Sequence, residues 1–261
     1  MLYAERVGRG SPVTLLHGFT QTGASWHPVV HRLGDLHAFT IVDGPGHGRS
    51  ADVSADLWEG AELLGRAGGR AAYVGYSLGG RFGLHLALAH PELVDSLVLV
   101  GATAGIDSAE ERRARRAADE VLARQIEAEG VAPFIKRWLE GPLFATLPPE
   151  AAGVDQRLTN TAAGLAGSLR KAGTGVQGAL WGRMAELEMP VLVIAGELDD
   201  KFAAIGRRLA AAVGANAELV LIPGAGHACH LERPDAFCLI LADFLADHPP
   251  PADVASQNAA D

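Results

Sequence analysis

Ser77 stands in the pentapeptide Gly75-Tyr76-Ser77-Leu78-Gly79, a G-x-S-x-G pattern that follows an apolar run and precedes a helical stretch, Gly80 to Ala89. A chain that reverses this tightly holds its serine at a strained backbone angle. Small residues two positions to either side avoid clashes and let the helix N-terminus come close. The hydroxyl is then exposed, and N–H groups at the helix start can stabilise an anion. A serine needs a base to become reactive, and the base needs an orienting acid. The chain supplies candidates for both. Asp199 lies in Gly196-Glu197-Leu198-Asp199-Asp200, a Gly-x-x-Asp turn after an apolar run, with Asp200 as its competitor. His227 ends Gly224-Ala225-Gly226-His227, where glycines free a loop to bring the imidazole back over a sheet. That position favours His227 over the other nine histidines, including His230, which is expected to begin a helix.

The elements that must position these residues are legible as short apolar runs. Val13–His17, Phe39–Asp43, Ala71–Tyr76, Ser96–Val100, Val191–Ala195 and Glu218–Ile222 are near-continuous in apolar or β-branched residues. A parallel sheet covered on both faces requires such runs. Helical stretches separate most of them, so the fold class is α/β with right-handed crossovers. The stretch from 101 to 190 breaks the rhythm: it is rich in Ala, Arg, Glu and Leu and holds no good strand. Helices are expected at Ala109–Glu129 and Val131–Leu139, broken at Pro142, and then over Glu150–Ala166 and Leu169–Met184. The resulting division is a core of 1–102 and 186–248, a helical lid of 103–185 inserted between strands, and a disordered tail of 249–261 beginning at His248-Pro249-Pro250-Pro251. In such a fold His17-Gly18-Phe19, after the first strong strand, brings a second oxyanion donor, so the backbone N–H groups of Phe19 and Leu78 are assigned that role. Asp43-Gly44-Pro45-Gly46-His47-Gly48 reads as scaffolding, and His27, His31, His37, His85 and His90 as surface or packing residues.

Bulk composition narrows the partners. Hydrophobic residues make up 48% and charged residues 20% of 261, as in an ordinary globular enzyme. With 31 acidic and 22 basic residues the net charge is −9, which disfavours nucleic acid or an anionic membrane as partner. Cys229 and Cys238 have neither metal nor disulfide-framework spacing. No cluster of His, Asp, Glu and Cys has ligand spacing, so neither metal nor cofactor is expected. There is no leader pattern and no run of about 20 apolar residues. A cytoplasmic enzyme acting as a monomer or small homo-oligomer is the default.

The chain resembles the α/β-hydrolase superfamily over nearly its whole length, with the order Ser, Asp, His that this fold uses. Within it the sequence resembles the 2-succinyl-6-hydroxy-2,4-cyclohexadiene-1-carboxylate synthases of menaquinone biosynthesis. The motifs are His17-Gly18-Phe19-Thr20 with Trp26, and Gly75-Tyr76-Ser77-Leu78-Gly79-Gly80-Arg81. In the lid they are Glu110–Arg116 with Asp119, Phe134 and Trp138 before Pro142-Leu143-Phe144, Arg157 with Asn160, and Ser168–Gln177 with Leu180-Trp181. Asp199-Asp200-Lys201-Phe202 and Gly224-Ala225-Gly226-His227 complete the set. The resemblance implies a lyase that eliminates pyruvate from a tricarboxylate substrate, with Arg81, Arg115 and Arg157 binding carboxylates and Tyr76 and Trp138 lining the site. Several guanidinium forks suit a trianion. Arg81 lies one helical turn after Ser77, near the same mouth. Arg112, Arg113 and Arg116 compete with Arg115, and Lys201 could add charge. In this reading His227, oriented by Asp199, keeps Ser77 basic enough to take a ring proton, and Ser77 is a base rather than a nucleophile. The chief rival is a serine carboxylesterase or C–C bond hydrolase with Ser77 as acyl nucleophile. A binding protein on a retained hydrolase fold is the remote one.

Overall fold

The computed structural model describes residues 1–250 of the 261. Its elements, in chain order, are β1 (Ala4–Gly8), β2 (Ser11–Leu16), α1 (His27–Leu33), β3 (His37–Val42), α2 (Leu57–Gly68), β4 (Ala71–Tyr76), α3 (Leu78–Ala89), β5 (Val94–Val100), α4 (Ala109–Glu129), α5 (Val131–Leu139), α6 (Val154–Arg157), α7 (Ala162–Ala172), β6 (Val191–Gly196), α8 (Asp200–Val213), β7 (Ala217–Ile222), α9 (Cys229–Glu232) and α10 (Pro234–Asp247). One sheet runs β1-β3-β2-β4-β5-β6-β7. All pairings are parallel except β1 with β3. The six apolar runs are β2 to β7. Strand β1 carries no such run: it reads Ala-Glu-Arg-Val-Gly, sits half-exposed on the edge and pairs on one side only. An edge strand needs no continuous apolar pattern, which is why composition passes over it.

The apolar runs are continuous because both faces of the sheet are covered. Successive side chains point to opposite faces. Tyr73, Leu97, Leu99, Val191 and Val193 join the core beneath α2, α3 and α8. Val74, Tyr76, Val98, Val100, Leu192 and Ile194 join a second core with α1 and α10. A charge in the middle of β4 or β5 would therefore be buried whichever way it faced.

Between β5 and β6 the chain leaves the sheet for α4 to α7. Helices α4 and α5 keep the expected bounds, with Ser108 capping α4 by accepting from the Glu111 N–H at 3.2 Å. The two later helices do not. The segment expected as helix over Glu150–Ala166 holds only the one-turn α6 and the start of α7, and Leu169–Met184 is mostly loop followed by a 3-10 turn at Trp181–Glu186. Thr161 explains the first break, since its hydroxyl accepts from the Gly164 N–H at 3.1 Å and starts a new helix there. Gly173 and Gly175 lie beyond the second break, and Gly175 packs its backbone against Arg116, where a Cβ would lie 2.3 Å from the Arg116 nitrogen. In these inserted helices Ala123, Ile126, Phe134, Ile135, Leu165, Ala166 and Leu169 form their own small core, and Phe19 packs against both it and the main core. Of the tail read as disordered, 251–261 lies outside the described residues, and Pro249 and Pro250 follow α10 without regular structure. Among the described residues no helix is long and apolar enough to cross a membrane.

Candidate active site

Three loops at the C-terminal ends of adjacent or near-adjacent parallel strands converge on one point, the edge where open α/β sheets place their ligands. Ser77 follows β4, Asp199 follows β6 and His227 follows β7. Ser77 has φ +50° and ψ −104°, a conformation rare for a residue with a side chain. It persists because its surroundings leave no alternative. The Ser77 N–H donates to Val100 O at 2.8 Å, and Gly79 lies so close to β2 that a Cβ would sit 2.2 Å from Leu16 O. The glycines thus let α3 start against the sheet, which lifts the serine hydroxyl out of it.

His227 Nε2 lies 3.4 Å from Ser77 Oγ, and Nδ1 lies 2.9 Å from Asp199 Oδ2. The longer contact is ordinary for a site without ligand. Asp199 Oδ1 also accepts from the Phe202 N–H at 3.1 Å. Burial works to raise the Asp199 pKa, but the bonds from His227 and Phe202, with the charge of Lys201 nearby, outweigh it and hold the carboxyl below its usual range. Asp199 is thus anionic at neutral pH and accepts from His227, which leaves Nε2 able to take the serine proton. Asp200, its competitor, opens α8 and makes no such bond. His230 is buried between Trp26 and Tyr76, at ring distances of 4.8 and 4.4 Å, and has no hydrogen bond to the serine. One supporting residue escaped the sequence reading. The buried Glu232 accepts from Gly226 N–H at 2.7 Å and from Ala228 N–H at 3.0 Å, bracketing His227. No pattern marks a glutamate five residues after a histidine.

Leu78 is the first residue of α3, so its N–H has no helical acceptor. The N–H groups of Leu78 and Phe19 have no acceptor among the described residues. Phe19 and Thr20 are the central residues of the turn after β2 that the Gln21 N–H closes on Gly18 O, and Thr20 has φ +69°. The segment inserted between β5 and β6 holds this turn: Asn160 Nδ2 donates to Thr20 O at 2.8 Å, Arg157 Nη1 donates to Thr20 Oγ1, and Gln156 Oε1 accepts from Thr22 N–H at 3.1 Å.

The structure separates the arginines. Arg157 is fully buried; Nε donates to Ala152 O at 2.8 Å, and among the described residues Nη2 has no partner and no carboxylate pairs with the guanidinium. Burial draws its pKa down to about 10, so it remains a cation at pH 7. Its guanidinium lies 5.8 Å from the Phe144 ring, which is 6.5 Å from that of His227. Arg81 is buried too, and Nη1 donates to Ala172 O at 2.6 Å. Burial, then the neighbouring Arg115, draws its pKa down to about 10. Arg115 is half-exposed and paired with Asp119 at 2.8 Å. Arg112 donates to the carbonyls of Ile106 and Asp107, and Arg113 and Arg116 border a hollow of about 490 Å³ between α4 and α7. Lys201 stands 5.6 Å over Phe202, whose ring is 4.4 Å from that of His227. Tyr76 is buried with its ring 5.4 Å from His227. Trp138 packs on Phe19 and Phe144 at 5.5 and 5.8 Å, and its buried Nε1 has no partner. The result is an apolar, aromatic wall around a serine–histidine pair with an unpaired cation in it. Among the described residues no group of three or more His, Cys, Asp and Glu could hold a metal.

Burial also makes four histidines poor bases: His17 and His85 titrate at about 4, and His47 and His230 at about 3. An unfolded histidine titrates near 6.5. Between those values the unfolded chain binds more protons than the folded one. The stability these groups contribute is therefore complete above about pH 6.5 and is lost as pH falls towards 4 and 3. Each can cost up to about 1.4 kcal/mol per pH unit in that window. Four together exceed the stability of an ordinary domain within two to three units. Circular dichroism should show unfolding between about pH 6 and pH 4; a native spectrum at pH 3 would contradict this.

A profile of the Alpha/beta hydrolase family matches residues 15–238. The 2-succinyl-6-hydroxy-2,4-cyclohexadiene-1-carboxylate synthase of Klebsiella pneumoniae subsp. pneumoniae is 31% identical over 94% of this chain and 100% of its own. A Bacillus subtilis protein provisionally given the same name is 34% identical over 89% of each chain. The structure of MenH from S. aureus superposes with a TM-score of 0.89 at 29% identity, covering 95% of this chain and 99% of that one.

Proposed function

Since the chain belongs to the alpha/beta hydrolase family, and within it to the family of 2-succinyl-6-hydroxy-2,4-cyclohexadiene-1-carboxylate synthases, we propose that it is a carbon–oxygen lyase of menaquinone biosynthesis. It eliminates pyruvate from 2-succinyl-5-enolpyruvyl-6-hydroxy-3-cyclohexene-1-carboxylate. The observation that carries this reading is Arg157, a fully buried guanidinium whose Nη2 has no hydrogen-bond partner and which has no acidic partner among the described residues. A buried cation without a counter-ion is costly and is retained where a ligand supplies the anion. A pocket for neutral esters has no use for one, whereas the substrate brings three carboxylates. Arg81 supplies a second buried cation, and the half-exposed Arg115, paired with Asp119, a third positive charge. Tyr76 and Trp138 line the ring site, and 103–185 acts as the lid.

The chemistry follows from the atoms in place. Ser77 Oγ takes the ring proton at C2, next to the succinyl ketone, as its own proton passes to His227 Nε2. The C2 electron pair forms C2=C3, the former C3=C4 pair moves to C4=C5, and the C5–O bond breaks. Enolpyruvate leaves, the proton held on His227 passes to it directly or through solvent, and protonation at carbon gives pyruvate while the imidazole returns to its neutral form. Negative charge that builds on the ketone oxygen is met by the N–H groups of Phe19 and Leu78. Asp199 stabilises the imidazolium throughout. No acyl-enzyme forms. The reading is of a small-molecule site in a cytoplasmic enzyme, and the net charge of −9 supports a small ligand over nucleic acid or an anionic membrane as partner.

Presenting the enolpyruvyl cyclohexene precursor and a nitrophenyl ester side by side tests the reading. Pyruvate release at a rate typical of enzymes, with slow ester turnover, is the expected outcome. Rapid ester hydrolysis without pyruvate would establish the rival, a serine carboxylesterase or C–C bond hydrolase with Ser77 as nucleophile.

A further inference from the structure

We propose that His17 and His47 form a bracket of two neutral imidazoles that fixes the direction of the Phe19 N–H, making both positioning residues for the oxyanion site. The proposal rests on the assignment of Phe19 as an oxyanion donor. The Phe19 N–H and the Gly18 C=O belong to one rigid, planar peptide, so holding the oxygen aims the N–H on the opposite side. Gly18 O accepts from His17 Nδ1 at 2.8 Å and from Gln21 N–H at 3.1 Å. The other nitrogen of His17, Nε2, receives the Gly44 N–H at 2.9 Å. A main-chain N–H can only donate, so Nε2 is bare and the proton sits on Nδ1, facing the Gly18 carbonyl.

His47 repeats the arrangement one residue on. Its Nε2 receives the Thr20 N–H at 3.3 Å and its Nδ1 lies 2.9 Å from Pro45 O. The two rings meet edge to face at 4.9 Å. The turn Asp43–Gly48 is thereby tied to residues 18–20 through two imidazoles of the same tautomer. Both are buried, and burial keeps both neutral at pH 7. Protonating either would set an imidazolium N–H against a main-chain N–H. Gly18 is also wedged against Tyr76, where a Cβ would lie 2.6 Å from the ring, so the peptide cannot turn that way. Two donors on one carbonyl polarise the peptide and strengthen its N–H as a donor to a developing oxyanion.

His17→Leu removes the donor to Gly18 O, whereas His17→Asn keeps an N–H near the Nδ1 position. His17→Leu is expected to lower kcat by about 10- to 100-fold, less than the loss of a whole oxyanion donor, with KM within about twofold. His17→Asn should recover kcat to within about fivefold of the unmodified protein. The same variants are assayed for pyruvate release and for nitrophenyl ester hydrolysis, because both reactions would use the Phe19 N–H. Ester turnover that falls in His17→Leu while no pyruvate forms would leave the bracket standing and remove the lyase reading. Nitrogen-15 spectra of the unmodified protein at pH 7 should show His17 and His47 protonated on Nδ1, a readout that needs neither activity nor a folded variant. Protonation on Nε2 of His17, or a His17→Leu protein with unchanged kcat in both assays, would overturn the proposal.

Discussion

Ser77→Ala is expected to lower kcat for pyruvate release by about 10³-fold, within the range that a positioned base contributes. KM should stay within a few-fold, because Arg81 and Arg157, the proposed carboxylate ligands, remain in place. The size of the effect follows from geometry. His227 Nε2 has Ser77 Oγ as its partner at 3.4 Å on the open side and Asp199 on the other. Without the hydroxyl the imidazole would have to reach the ring proton itself, while Asp199, Phe202 and the Glu232 bracket hold it back. The fold should survive, since Ala at φ +50° is strained no more than Ser. Ser77→Gly should be at least as inactive and more stable, because glycine occupies that angle without penalty. Steady-state pyruvate release, read beside thermal unfolding, checks both. Full turnover by Ser77→Ala would show that the serine is not the base.

Arg157→Met carries the second large effect, a loss of about 10²-fold or more in kcat/KM. Removing one side of a buried, hydrogen-bonded charge pair costs about 2–5 kcal/mol, and the pair here forms when a substrate carboxylate arrives. Stability should move in the opposite sense or not at all. Methionine keeps most of the volume and removes a desolvated charge, although the bonds to Ala152 O and Thr20 Oγ1 are lost. Arg157→Lys should not rescue, since an ammonium cannot serve Ala152, Thr20 and a carboxylate in one plane. A Michaelis–Menten series with a melting curve for each variant separates the outcomes. Unchanged kcat/KM in Arg157→Met would remove the observation on which the lyase reading stands and favour an enzyme for neutral esters. A large fall in melting temperature would mean that the guanidinium serves the fold.

Much of this was legible in one dimension because its causes are local. A strand buried on both faces must be apolar at every position, so β2 to β7 stand out as runs; a helix such as α4 shows its period and its Ser108 cap. The G-x-S-x-G turn writes its own steric demand into Gly75 and Gly79. The order Ser77, Asp199, His227, each just past an apolar run, follows from strands whose C-terminal ends share one edge of a sheet. Strand β1 was invisible because one-sided pairing at an edge asks little of composition, and α6 and α7 were misjudged because Thr161 caps in the middle of a helix-forming stretch.

What only the tertiary structure decided is which polar groups meet. Arg112, Arg113, Arg115 and Arg116 are one indistinct cluster along the chain. Folded, the first is tied to main-chain carbonyls, the third is paired with Asp119, and the other two border a hollow on the lid. Arg157 becomes the buried cation by contacting Thr20, 137 residues away. Glu232, His17 and His47 act through main-chain groups that any residue type could supply, so no motif announces them. Residue types and spacing determine which elements form and which side chain can do chemistry. Burial, and the partner a charge is left without, are properties of the packed chain, and the proposed choice of a polyanion over a neutral ester rests on them.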